Sequence, residues 1–93
     1  MPPVHRVRRR VVIHGRVQGV FFRDTTRRRA QELGVAGWVT NRPDGAVEAV
    51  FEGTADSVAA MVSFCEEGPR GAEVERVEVT EEETEGLRDF RIT

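Results

Sequence analysis

Val11, Val12 and Ile13 form a contiguous β-branched run, which predicts a strand over 8–14 covered on at least one face. From Phe22 the period changes. Phe22, Thr26, Ala30 and Leu33 recur at helical intervals and make one stripe, while Arg27, Arg28 and Arg29 fall off it. Gly34 supplies a C-terminal stop, so the spacing predicts a helix over 22–33. Residues 35–42 read as a second strand around Trp38, and Pro43-Asp44-Gly45 turns it back as a hairpin. In the third strand, 46–53, Val47, Ala49 and Phe51 alternate with Glu48, Val50 and Glu52. That pattern predicts one buried face and one mostly wet face. Thr54 is a favourable helix N-cap, and Asp56 falls in the first turn, where negative charge is favoured. Val58, Met61, Val62 and Cys65 mark a second helix, ended by Gly68-Pro69. Val74, Val77 and Val79 define a fourth strand over 73–80. The acidic stretch 81–86 reads as a mobile loop. Phe90 and Ile92, alternating with Asp89 and Arg91, predict a short final strand.

The order strand, helix, strand, strand, helix, strand is that of an α+β, ferredoxin-like βαββαβ sandwich. Its antiparallel sheet carries both helices on one face as crossovers. No repeat or linker interrupts the pattern, so residues 1–93 read as a single domain, with 1–6 expected to be flexible. A chain of 93 residues is long enough for one core without staples. No apolar run approaches the ~18–20 residues that span a bilayer. The apolar run behind the basic N-terminus is too short for a secretory leader. A cytoplasmic protein without membrane association is expected. The lone cysteine, Cys65, falls on the apolar helix stripe and reads as a buried structural thiol.

Charge changes the picture because it is segregated. The formal net charge is −2, yet ten of the fourteen basic residues precede residue 46 and thirteen of the sixteen acids follow it. Every basic residue is arginine. Codon bias is the plainest reason for that, and a positive face that draws in anions is the functional alternative. The runs Arg8–Arg10 and Arg27–Arg29, and the acids of 81–85, are expected to be solvated faces.

The stretch Gly15–Arg23, GRVQGVFFR, carries the candidate chemistry. It joins a strand to a helix start, has two glycines, and ends on an arginine. Such a loop can turn backbone N–H groups toward an anion, a helix N-terminus adds positive partial charge, and arginine adds a fork of donors suited to phosphate. The spacing alone is weak, since a plain turn explains it about as well. Asn41 is the second candidate. Parallel placement of the first two strands brings its end of the sheet beside the loop, although a turn-flanking asparagine is the ordinary reading. His5 and His14 are too few and too isolated for a metal site, and Cys65-x4-Arg70 misses the spacing of a thiol phosphatase loop. There is no G-x-x-x-x-G-K-[ST] and no C-x-x-C. An anion cradle, an arginine and an amide, with no evident base, nucleophile or metal ligands, suit a substrate whose leaving group needs no proton. A mixed carboxylic–phosphoric anhydride is one, and its cleavage rests on positioning and charge stabilisation.

The segments GRVQGVFFR, LGVAGWVTN and DGAVEAVFEG resemble the acylphosphatase family, and the match spans nearly the whole chain. The resemblance implies a ferredoxin-like fold and hydrolysis of acyl phosphates to carboxylate and inorganic phosphate, with no metal and no cofactor. It places the catalytic arginine on Arg23 and the catalytic, water-holding asparagine on Asn41. It places the phosphate cradle on Arg16, Val17, Gln18, Gly19, Val20, Phe21 and Phe22, chiefly through backbone N–H groups. Family members often carry glycine where Phe21 stands here. The expected partners are a small acyl phosphate and inorganic phosphate, with no nucleic acid and a monomeric state. A non-enzymatic binding or accessory module is the competing class. RNA binding is disfavoured because the aromatic RNP signature is absent and the net charge is acidic.

Overall fold

The computed structural model describes residues 5–93. Of the six residues expected to be flexible, 1–4 lie outside the described residues, and Arg6 already belongs to a strand. Strand β1 (Arg6–Arg16) leads to α1 (Phe22–Leu33). Strands β2 (Ala36–Asn41) and β3 (Val47–Thr54) form the hairpin, α2 (Ala55–Glu67) crosses to β4 (Glu73–Glu82), and β5 (Phe90–Ile92) follows. The sheet order is β4-β1-β3-β2-β5. All pairings are antiparallel except β2 with β5, which is parallel. The ferredoxin-like α+β arrangement is therefore present, with a mixed edge where the final strand joins.

The core lies between the sheet and the two helices. Val11 and Ile13 of β1 and Val47, Ala49 and Phe51 of β3 are fully buried there, under Phe22, Thr26 and Ala30 of α1 and Val58, Met61 and Cys65 of α2. Burial pushes the Cys65 thiol well above its ordinary pKa, as an inert core residue requires. The helices meet through Phe22 and Phe64, whose ring centroids are 5.7 Å apart. Leu33 departs from the predicted stripe and is 42% exposed. The reason is a Schellman turn at Gly34: the Val35 amide donates to the Ala30 carbonyl at 2.8 Å, so Val35 rather than Leu33 fills the space under the helix end.

The other face of the sheet is not the wet face that alternation predicted. Arg8, Glu52 and Glu82 share one rung across β1, β3 and β4. Arg8 donates to Glu52 at 2.7 Å and to Glu82 at 2.8 Å, with Arg8 only 4% exposed and Glu52 fully buried. Glu52 also accepts the backbone amides of Glu85, Gly86 and Leu87 at 3.1, 3.0 and 3.3 Å. The acidic stretch expected to be a mobile, solvated loop is thus strand through Glu82 and pinned beyond it. Val50 is buried as well. It sits on a rung between Arg10 and Trp38, and the Arg10 guanidinium stands 5.5 Å from the Trp38 ring centroid. Arg10 pairs with Glu48 and Glu82. Arg8–Arg10 is therefore a lattice of ion pairs rather than a solvated run. Arg27, Arg28 and Arg29 are exposed as expected, and Arg29 also lies over the Phe64 ring at 4.9 Å.

Candidate functional site

Strands β1 and β2 run parallel because each is antiparallel to β3 between them, and Ile13 and Asn41 both pair with Val47. Their C-terminal ends leave the sheet side by side. The 17–21 loop after β1 and Asn41 at the end of β2 therefore meet at a cleft of about 400 Å³. Val17, Gly19, Phe21, Phe22, Arg23 and Asn41 line it. Asp24 and Ile92, which no sequence motif marked, line it too.

Three residues of the predicted cradle do not line the cleft. Arg16 ends β1, and its guanidinium reaches the Glu73 carboxylate at 3.3 Å and the Gly71 carbonyl at 3.5 Å. Val20 faces a groove between the two helices instead. The Gln18 side chain crosses to the β2–β3 hairpin, where its amide donates to the carbonyls of Arg42 at 2.8 Å and Ala46 at 2.9 Å. Gly15, read from sequence as the start of the loop, lies within β1 at an irregularity in its pairing with β4. A Cβ there would overlap the Glu73 carbonyl oxygen, so this glycine serves the close approach of two strands.

The two helices start differently. Thr54 caps α2 by accepting the Ser57 amide at 3.3 Å. Helix α1 has Phe21 at its N-cap, with no side-chain cap and left-handed backbone at φ 59 and ψ 27. Its first regular bond is Thr25 N–H to the Phe21 carbonyl, at 3.1 Å. The first-turn amides before it are orphans of the kind that a cap, water or an anion satisfies. Left-handed backbone at a residue with a Cβ costs on the order of 1–2 kcal/mol, and such strain concentrates at functional loops. The loop thus lacks a capping side chain at the very point where the helix dipole faces the cleft.

Among the described residues, Arg23 enters no ion pair, and neither Arg23 nor Asn41 makes a side-chain hydrogen bond. The neighbouring Arg42 is held by Asp44 at 3.0 Å. The Ala46 amide and Arg42 keep the Asp44 carboxyl below its ordinary range. Arg23 and Asn41 are accordingly the cleft's free polar side chains, together with the Asp24 carboxylate. His14 pairs with Glu78 at 2.7 Å and does not line the cleft. Among the described residues no group of three or more His, Cys, Asp or Glu side chains converges as a ligand set.

The family model for acylphosphatase matches residues 9–92. The acylphosphatase of Rubrobacter xylanophilus is 63% identical over 84 residues, covering 89% of this chain and 76% of that protein. That of Haloarcula marismortui is 55% identical over 85 residues, covering 91% and 93%. A solved acylphosphatase from Coxiella burnetii superposes with a TM-score of 0.93 at 38% identity, covering 100% of both chains.

Proposed function

The chain belongs to the acylphosphatase family, and from that premise we propose how its cleft divides the work of the reaction. The activity is hydrolysis of the carboxyl–phosphate anhydride bond of acyl phosphates to carboxylate and inorganic phosphate. The phosphoryl oxygens rest on backbone amides where the loop borders the cleft, at Val17, Gly19, Phe21 and Phe22, and so on the uncapped start of α1. The Arg23 guanidinium stabilises the charge that spreads over them in the transition state. Asn41 orients a water for attack at phosphorus. The new P–O bond forms as the bond to the carboxyl oxygen breaks, and the carboxylate leaves with its electron pair. Carboxylate is stable at neutral pH, so no acid is needed for it. The water's proton passes to an oxygen of the phosphate itself, so no protein base is needed either. The scheme uses no metal or cofactor, because positioning and fixed charge supply the stabilisation.

The observation that carries this reading is the uncapped first turn of α1 opening into the same cleft as two free polar side chains, Arg23 and Asn41. We further take 1–93 as one catalytic domain acting as a monomer in the cytoplasm on small acyl phosphates. The single buried thiol suits a reducing compartment, and no helix of the described residues is long and apolar enough to cross a membrane. The test is Arg23→Gln assayed with benzoyl phosphate. Loss of a full charge should lower kcat by at least the ~10²–10³ typical of one missing transition-state donor. Near-normal turnover by that variant rules the assignment out.

A further inference from the structure

We propose that the Phe21 ring and the Ile92 side chain seat the acyl group of the substrate, and that they tune the enzyme toward apolar, above all aromatic, acyl phosphates. This rests on the reading that Arg23 and the loop amides hold the phosphoryl end. With that end fixed at the start of α1, the carboxyl substituent has to lie along the rest of the cleft wall. Of its apolar residues, Val17 and Phe22 are spent in the core. The apolar surface left open is that of Phe21, 79% exposed, and of the partly exposed Ile92.

The exposure of Phe21 is not a by-product of packing. It belongs to no core cluster, it holds left-handed backbone, and it lines the cleft where the loop enters the helix, on the rim shared with the groove between the helices. A lone exposed apolar side chain needs no explanation. An exposed ring on strained backbone at the mouth of an anion site is a different observation. Ile92 is brought there by the parallel pairing of β5 with β2, opposite Val39 and close to Asn41 in register. Its position is fixed on the far side: the Thr93 amide donates to the Val39 carbonyl at 2.9 Å, and the Thr40 hydroxyl donates to the Thr93 carbonyl at 3.1 Å. Strand β5 thereby adds a wall to the site as well as an edge to the sheet. The Asp24 carboxylate on the same cleft disfavours acyl groups that carry a second negative charge.

The test compares kcat/KM for benzoyl phosphate and acetyl phosphate within each protein, so that any loss of active enzyme cancels. The native enzyme should favour benzoyl phosphate. Phe21→Ala should lower the benzoyl-to-acetyl ratio about three- to tenfold, as loss of an aromatic contact predicts. Ile92→Ala should lower it as well, and Phe21→Leu should lower it less than Phe21→Ala. A ratio unchanged in both alanine variants overturns the proposal while leaving the phosphoryl assignment intact. Arg23→Gln is run beside them. If it turns over both substrates like the native enzyme, the phosphoryl assignment falls and takes this proposal with it.

Discussion

Gln18 donates its side-chain amide to the Ala46 carbonyl at 2.9 Å and so ties the 17–21 loop to the hairpin whose first strand ends in Asn41. The second bond, to the Arg42 carbonyl, spans the same gap. Each neutral bond contributes roughly 0.5–1.5 kcal/mol. The larger consequence is geometric, because a small misplacement of aligned groups costs far more in rate than in stability.

Gln18→Met keeps the length of the side chain and removes both donors. It should cost about 1–3 kcal/mol in urea unfolding. It should lower kcat for acyl phosphate hydrolysis more than it raises KM. If kcat holds while only stability falls, the bridge between loop and hairpin is structural alone.

Asn41→Ala separates water positioning from phosphate binding. The side chain has no protein partner among the described residues, so its removal leaves the fold's hydrogen bonds intact. We expect kcat to fall by roughly 10²-fold, with inhibition by inorganic phosphate little changed. Parallel losses in both would assign Asn41 to holding the phosphoryl group instead.

The sequence showed most of the frame. Helix α1 could be read to its ends because a 3.6-residue stripe and a glycine stop coincide at Phe22–Leu33. The meeting of Asn41 with the loop followed from topology, since a split βαβ unit sets β1 and β2 parallel. Gln18 could not be placed, because its partners lie in a hairpin more than twenty residues away and a long side chain carries no periodic signal. Glu52 was misread for a related reason. Alternation assigns it correctly to the face away from the helices, but Arg8 and the 85–87 backbone, both more than thirty residues away along the chain, cover that face. Ile92 was placed in a strand, yet a three-residue strand does not reveal which edge it will join.

The Arg8–Glu52 pair predicts an acid-sensitive fold. Burial alone would raise the Glu52 carboxyl, but the Arg8 guanidinium and three backbone amides more than offset it and hold it below the ordinary range. The Arg10 and Arg8 hydrogen bonds depress Glu82 in the same way. A depressed carboxylate contributes stability that is fully present above the unfolded value, about 4.3. That stability is lost as pH falls through the folded value. Glu52→Gln should therefore flatten the decline of unfolding free energy below about pH 4–5. At neutral pH it should cost about 1.5–3 kcal/mol, since Arg8 exchanges its buried counter-charge for a neutral amide while still pairing with Glu82 and Glu85. Unfolding free energies of Glu52→Gln that fall with acid as steeply as those of the native protein would show that this carboxylate does not carry the acid sensitivity.

Gly37 should be the least replaceable glycine of the sheet. It pairs with Phe51 on one side and Phe90 on the other, and its amide donates to the Asp89 carbonyl at 2.8 Å. Its φ is +141°, and an added Cβ would overlap the Val50 carbonyl oxygen. Neither obstacle is a flexible side chain, so β2 would have to part from β3. Gly45, in the hairpin turn, also has positive φ, at +94°, but a Cβ there meets nothing. Gly45→Ala thus reports backbone strain alone and should cost about 1–2 kcal/mol. Gly37→Ala carries the same kind of strain plus the overlap and should exceed ~4 kcal/mol, a loss confined to a few severe mechanisms. Thermal unfolding of both variants measures the difference. Similar losses would show that β2 can shift to admit the methyl group. In that case Ile92, carried on the strand paired with β2, should move as well, and the benzoyl-to-acetyl ratio of Gly37→Ala should change with it.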